Sequence, residues 1–133
     1  MIIGTGIDSI EPYRIEKAIK QHGKRFLDKI YTLEEQARCQ KSSKIYERYA
    51  IHFAAKEAVM KMLETGAKPL SPIGVKFREI ELYHENSGAP RIRLYGRAKQ
   101  VAEEKGIEII HLAATSLESV CTVTAIGERL EDI

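Results

Sequence analysis

Residues 44–63 read KIYERYAIHFAAKEAVMKML, the longest stretch of the chain that has a single helical pattern. Large apolar residues recur at helical spacing with alanines between them, which predicts one long amphipathic helix. Thr65-Gly66 is expected to end this helix, and Pro69 and Pro72 mark the loop beyond it. The rest of the chain is interpreted outward from this helix.

Shorter segments precede the long helix. Residues 2–7 predict a strand that ends at Asp8, and a helix opens at Glu11-Pro12, with Ser9 as its cap, and stops at Gly23. Residues 26–30 predict a second short helix. Thr32 and Glu35 have the spacing of a capping box, which opens a third helix that runs to about residue 41.

After the long helix the period changes to that of strands. Residues 77–83 alternate, Asn86-Ser87-Gly88 is a hairpin turn, and residues 91–95 form the return strand. A helix over 96–105 ends at Gly106, and two further strands are expected at about 107–115 and 120–126. This order predicts an α+β fold in one domain, residues 1–133, with the helical first half packed on an antiparallel sheet.

Composition excludes several classes of protein. Of 133 residues, 44% are hydrophobic and 30% charged, as in a soluble globular domain. No apolar run is long enough to span a membrane, and the first residues do not resemble a signal peptide. Cys39 and Cys121 cannot form a disulfide scaffold and are expected to be reduced thiols in a cytoplasmic protein. The four scattered histidines do not have the spacing of a zinc site.

Two carboxylates are candidates for chemistry. Asp8 is either a residue pointing into a cleft from a strand end or an ordinary turn or capping aspartate. Glu57 shares a helix face with Lys61, which is equally the pattern of a solvated ion pair. The alanines around Glu57 leave space for a close neighbour, and Phe53, one turn earlier, could form the floor of a pocket. Together Asp8 and Glu57 would be an oxygen-only pair suited to Mg²⁺ and a phosphate substrate.

Charge is unevenly distributed along the chain. Residues 12–48 carry ten basic and five acidic residues, a net charge of +5, whereas the whole chain has a net charge of +2. An ordinary solvated face is one interpretation, and an acidic protein partner or a phosphate-rich ligand is the other. No aromatic platform or RNA-binding signature supports nucleic acid as the ligand.

Taken together, these motifs resemble a known family. They are Gly6-Ile7-Asp8, a basic first helix with Arg14, Phe53-Ala54-Ala55-Lys56-Glu57-Ala58-x-x-Lys61, Thr65-Gly66, Gly88-x-Pro90 and Leu94-x-Gly96-x-Ala98. The chain is similar, over nearly its whole length, to the holo-acyl-carrier-protein synthases, the small bacterial phosphopantetheinyl transferases.

The resemblance implies a cytoplasmic transferase of fatty acid biosynthesis. Such enzymes move 4′-phosphopantetheine from coenzyme A to a serine of apo-acyl carrier protein and release 3′,5′-ADP. It implies a homotrimer with coenzyme A between adjacent subunits, and Mg²⁺ bound by Asp8 and Glu57. Lys61 would bind a pyrophosphate oxygen, and the base is either Glu57 or a water on the metal.

The resemblance also suggests binding residues. Contacts to coenzyme A are expected from Phe53, Lys61, Asn86, Gly88, Pro90 and Ser116. Docking of the acidic carrier is expected on Arg14, Lys17, Lys20, Lys24 and Arg25. The family often has a histidine near coenzyme A before its last strand, and here Ser116 stands in that place.

Two alternatives remain open at this stage. One keeps the chemistry but changes the acceptor to another carrier domain. The other is a non-catalytic α+β module that binds an acidic partner.

Overall fold

The computed structural model describes residues 1–64 and 74–131. The helices are α1 (Pro12–His22), α2 (Lys24–Ile30), α3 (Leu33–Gln40), α4 (Ile45–Glu64) and α5 (Gly96–Lys105). The strands are β1 (Ile2–Ile10), β2 (Ile80–His84), β3 (Pro90–Leu94), β4 (Ile109–Ser116) and β5 (Cys121–Glu128).

Two antiparallel sheets lie beside the helices. The larger has the order β1-β5-β4, so the last strand in sequence lies in its middle, and β2 and β3 form a separate hairpin. The predicted α+β class is therefore confirmed. The hairpin turn places Gly88 at φ 91°, a left-handed conformation that a side chain rarely adopts.

The long helix α4 packs on one face of the larger sheet. On β1, Gly4 and Gly6 are buried against it, and a Cβ at Gly6 would overlap the carbonyl oxygen of Ala58. Ala54, Ala55 and Ala58 are buried as well. The close neighbour of Ala58 is thus β1, whose backbone lies directly on the helix.

A second apolar cluster joins α1, α2 and α3 to the start of α4. It contains Tyr31 and Tyr49, whose ring centroids are 4.7 Å apart, together with Cys39 and Cys121. Both cysteines are free and buried. Within the described residues, no helix is long and apolar enough to cross a membrane.

The beginning of the chain differs from the prediction. The first strand does not end at Asp8 but continues to Ile10, because Asp8, Ser9 and Ile10 pair with Val123, Thr122 and Cys121 of β5. Ser9 does not cap α1. Its hydroxyl is 2.8 Å from that of Thr122, and the residue at the cap position, Glu11, makes no side-chain cap bond.

The strand expected from Phe77 also begins late. Phe77–Glu79 form a single 3₁₀ turn, and the strand starts at Ile80. Alternation in these few residues reflects half-burial of the turn rather than a sheet. The predicted helix end at Thr65-Gly66 and the loop at Pro69 and Pro72 lie outside the described residues.

Candidate active site

Asp8 and Glu57 lie where β1 packs on α4. Asp8 sits inside β1 on the same face as Gly6, and its side chain is 16% exposed. Glu57 is half-buried on α4, one residue before Ala58, which touches Gly6. Asp8 is therefore not a turn or capping residue, and the fold brings together two carboxylates that are distant in sequence.

The electrostatics of this pair favour a bound cation. Burial raises the pKa of Glu57, and the negative charge of Asp8 raises it further, while Lys61 opposes the shift. Two carboxylates that repel each other are stabilised by a cation, and oxygen ligands suit Mg²⁺. The described residues contain no cluster of three or more side chains able to ligate a metal. A site of two carboxylates leaves positions for water and phosphate, as Mg²⁺ prefers.

Lys61 completes this group. Its Nζ donates to the Oδ1 of Asp8 at 3.1 Å and to the carbonyl oxygen of Ile7 at 3.0 Å. The side chain is half exposed. Lys61 thus reaches across to β1 and places a positive charge beside Asp8, at the surface where an anionic substrate would arrive.

Phe53 lies one turn before Glu57 and is half-buried. Its ring stacks on that of Phe77, with centroids 5.6 Å apart and an interplanar angle of 22°. The stack attaches the 3₁₀ turn to α4. Phe53 therefore forms part of a wall on the Glu57 side of the helix.

The other residues expected to contact coenzyme A lie apart from the carboxylates. Asn86 and Gly88 are exposed in the β2–β3 turn. Pro90 and Ser116 line one cavity of about 130 Å³ between α4, the β2–β3 hairpin and β4. The Ser116 hydroxyl donates to Oε1 of Glu47 at 2.6 Å.

The five basic residues proposed for docking are all exposed on α1 and the start of α2. Two of them are paired with carboxylates of their own helix: Lys20 with Glu16 at 2.8 Å and Lys24 with Asp28 at 3.0 Å. Arg14, Lys17 and Arg25 have no ion pair within residues 1–64 and 74–131. Because α1 follows β1 directly, this basic face begins close to Asp8.

Comparisons with known proteins identify the family to which the chain is similar. A family model described as the 4′-phosphopantetheinyl transferase superfamily, ACPS, matches residues 4–121. A holo-[acyl-carrier-protein] synthase of Koribacter versatilis is 40% identical over 96% of this chain and 99% of its own length.

The chain belongs to the holo-[acyl-carrier-protein] synthase family.

Solved structures of synthases share the fold. The synthase of Neisseria meningitidis superposes with a TM-score of 0.83 at 29% identity and covers 97% of this chain and 100% of its own. The synthase of Bacillus anthracis, solved in complex with CoA (3′,5′-ADP), gives 0.75 at 29% identity and covers 98% and 99%. Membership in this family makes the chain an enzyme, so the alternative of a non-catalytic binding module is wrong.

Next to the site of this synthase-family chain is a buried polar network that the motif analysis missed. Lys56, the residue before Glu57, is fully buried and donates to Oε1 of Glu35 at 2.5 Å, to the Phe77 carbonyl oxygen at 3.1 Å and to that of Ile80. His52 Nδ1 lies 2.7 Å from Oε2 of Glu35. Burial alone would raise the pKa of Glu35, but its bonds to His52 and Lys56 hold it below the usual value.

One signal for this network was present in the sequence. The capping box at Thr32 and Glu35 forms as predicted, with the Glu35 amide donating to the Thr32 hydroxyl at 3.2 Å and the Thr32 amide to Glu35 Oε1 at 3.0 Å. A glutamate in a capping box is normally exposed, and nothing in its spacing indicates that it also meets a buried lysine from another helix.

Proposed function

We propose that this chain transfers 4′-phosphopantetheine from coenzyme A to a serine of apo-acyl carrier protein and releases 3′,5′-ADP. It would act in the cytoplasm, as one domain of 133 residues, in a Mg²⁺-dependent reaction that belongs to fatty acid biosynthesis. The observation that carries the proposal is the group formed by Asp8, Glu57 and Lys61 in a chain of this family.

Asp8 and Glu57 would hold the metal. When bound, Mg²⁺ neutralises charge on the pyrophosphate and favours in-line displacement. Lys61, which is half exposed beside Asp8, would contribute a second positive charge near the phosphate oxygens. Phe53 would line the path of the substrate beside Glu57.

The carrier would dock on the basic face of α1 and α2. Arg14, Lys17 and Arg25 are exposed and are not neutralised by neighbouring carboxylates in the described chain, so they can pair with an acidic surface. Since α1 begins two residues after β1 ends, a carrier bound there would present its serine near Asp8.

A homotrimer would complete the site. The outer face of the β1-β5-β4 sheet is open in the single chain, and Ile7, on the edge strand β1, is 57% exposed. Its neighbours across the sheet are Thr124 and Ala113. If copies associate through this face, the Asn86–Pro90 turn and Ser116 of one subunit can approach Asp8 and Glu57 of the next.

The central test is a mass-shift assay. Purified protein with coenzyme A, Mg²⁺ and an apo carrier should add about 340 Da to the carrier, the mass of the group carried by phosphoryl transfer. Asp8→Ala and Glu57→Ala should abolish the shift, whereas Glu103→Ala, an exposed glutamate on α5, should keep it. Full activity in an Asp8→Ala/Glu57→Ala double variant would refute the metal assignment.

Docking of the carrier on α1 is tested by reversing one charge. Arg14→Glu should raise the KM for the carrier by about tenfold, because reversal of a docking charge replaces attraction by repulsion. The KM for coenzyme A should stay within about twofold. Lys99→Glu, on the exposed face of α5, is the control. Equal changes in both KM values would remove the docking assignment.

The acceptor is tested with a panel of apo carriers. Acyl carrier protein should be modified faster than peptide or polyketide carrier domains at equal concentration. A preference for another domain would change the acceptor and leave the chemistry intact.

A further inference from the structure

Lys61 contacts a candidate metal ligand directly. Its ammonium group donates to Oδ1 of Asp8 at 3.1 Å and to the carbonyl oxygen of Ile7 at 3.0 Å. Asp8 is also one of the two carboxylates proposed to hold Mg²⁺. Two cations, the ammonium group of the chain itself and the metal ion, would therefore compete for the same carboxylate.

The two partners of this contact differ in how firmly they are held. Asp8 belongs to β1, whose backbone lies on α4 through the close approach of Gly6 to Ala58. Lys61 is in the last turn of α4, but its ammonium group ends a flexible four-carbon chain, and the side chain is 50% exposed. The lysine can therefore leave Asp8 without movement of the strand or the helix.

Lys61 supplies positive charge to both carboxylates of the site. Burial and the charge of Asp8 raise the pKa of Glu57, whereas the charge of Lys61 lowers it. Together with its bond to Asp8, this makes the ammonium group a partial substitute for a metal ion on the pair. A dication repels an ammonium group, so simultaneous contact of both with Asp8 is unfavourable.

A phosphate group would give Lys61 a second partner. An ammonium group forms charge-assisted hydrogen bonds with phosphate oxygens as it does with a carboxylate. Because the side chain is half exposed, it can turn towards an anion that arrives at the surface. Lys61 would then exchange one charged hydrogen bond for another, and Asp8 would become available to the metal.

We propose that Lys61 exchanges between two partners during substrate binding: it holds Asp8 before the metal binds, and it moves to the phosphates of coenzyme A when Asp8 takes up Mg²⁺. The inference rests on the proposed function for the identities of the metal and the substrate. Mg²⁺ alone must displace the ammonium group without replacing its partner, whereas coenzyme A supplies a new partner. Part of the coupling between the two ligands therefore passes through Lys61.

Metal binding to Lys61→Met tests the exchange without carrier or transfer. Mn²⁺, which accepts the same oxygen ligands as Mg²⁺, is titrated by electron paramagnetic resonance. Without coenzyme A, loss of the competing ammonium group should lower the Kd for Mn²⁺ by about five- to tenfold. Lys61→Arg, which can still pair with Asp8, should show no such gain. Lys99→Met, which removes an exposed charge on α5, should stay within about twofold of the parent.

The same titration with saturating coenzyme A separates exchange from simple repulsion. In the parent, coenzyme A should draw Lys61 away from Asp8, so that Lys61→Met then improves Mn²⁺ binding by less than about twofold. A lysine fixed in place would repel the metal equally in both titrations. Equal gains with and without coenzyme A would therefore overturn the proposal, as would an unchanged Kd for Mn²⁺ in Lys61→Met without coenzyme A.

The reactivity of the Lys61 amine gives a direct readout. Limited reductive methylation, followed by peptide mass spectrometry, reports each lysine separately in one sample. The hydrogen bonds of Lys61 should make it react more slowly than the exposed Lys99 in the protein alone. Its rate should rise several-fold with Mg²⁺ and fall again when coenzyme A is added. A Lys61 rate that Mg²⁺ does not change would contradict the exchange.

Failure of the proposed function has a different signature. A parent that shows the exchange but transfers nothing to a carrier would count against the proposed function and not against the two positions of Lys61. Absence of Mn²⁺ binding in the parent and in Lys61→Met, with and without coenzyme A, would refute the metal assignment and the exchange with it. Circular dichroism should show the same thermal unfolding for the parent and Lys61→Met, so that changes in Kd report the site.

Discussion

Glu35 is the single residue on which most of the buried polar structure depends. One oxygen accepts from the Thr32 amide and from Lys56, and the other is bonded to His52 and to the Leu82 amide at 3.2 Å. It thereby connects the start of α3 to α4 and β2. Lys56 precedes Glu57, so the same bonds fix the part of α4 that carries the candidate metal ligand.

Substitution of Lys56 should lower the free energy of unfolding. Lys56→Met leaves the Glu35 carboxylate buried without its cation, and loss of one partner of a buried pair typically costs about 3–5 kcal/mol. Urea unfolding should show a decrease of that size in the free energy of unfolding. Lys20→Met, which removes the exposed pair with Glu16 and the contact of the ammonium group with the Tyr46 ring, should cost far less. Similar effects of the two substitutions would show that the buried network is not stabilised by its charges.

At the scale of elements, the contact between β1 and α4 determines the geometry of the site. Gly4 and Gly6 let the strand lie directly on the helix, and Asp8 follows on the same face. The distance between the backbones of Asp8 and Glu57 is therefore set by the packing of strand on helix rather than by side chains that could adjust.

A methyl group at Gly6 should separate the two elements. Gly6→Ala would place its Cβ against the Ala58 carbonyl oxygen, which is backbone and cannot rotate away. We expect a loss of about 1–3 kcal/mol or more in the free energy of unfolding and a large fall in transfer rate. At Gly127 a Cβ would meet the side chains of Met62 and Ile107, which can move, so Gly127→Ala should cost less. Equal stability of both variants would contradict this account of the packing.

The contact between β1 and α4 shows which features of the fold the sequence can predict and which it cannot. Some local signals were correct, since the capping box at Thr32 opens α3 and Gly106 ends α5, whereas the cap at Ser9 was wrong. The sequence also singled out Asp8 and Glu57, because the family motifs contain them. Pairing across the sheet is not local, and it was the pairing of Ser9 with Thr122 that extended β1 past the predicted end.

A physical reason explains why the sequence did not indicate the remaining side chains. Lys56 and Glu35 are charged residues on separate helices, and charged residues are normally exposed, so only their contact in three dimensions reveals the pair. His84 lies in a strand with no motif around it. Its Nδ1 is buried without a hydrogen-bond partner in the described structure, which no sequence pattern indicates.

At the scale of the whole molecule, the larger sheet has one face that no helix of the described chain covers. Thr5, Ile7 and Ser9 of β1 are exposed there, and the opposite face of the sheet is covered by α4. An exposed sheet face that carries isoleucine is typical of a surface used in association.

Ile7→Asp should therefore dissociate the proposed trimer. A charge on this face would be buried without a partner on assembly, so light scattering should show the mass of one subunit instead of three. Transfer activity should fall with assembly although Asp8 and Glu57 are unchanged. Leu33→Asp replaces another exposed aliphatic residue, 67% accessible on α3, and should alter neither property. An unchanged mass in Ile7→Asp would place the interface elsewhere.

The central position of β5 in the sheet has a consequence for synthesis of the protein. β1 is made before the other elements described, yet its hydrogen-bonding partner, residues 121–128, is made after all of them. Contacts so distant in sequence slow folding. During translation the helices can form early, whereas the strand that holds Asp8 must wait for β5 before it can pair, and until then the apolar residues of β1 have only α4 to cover them.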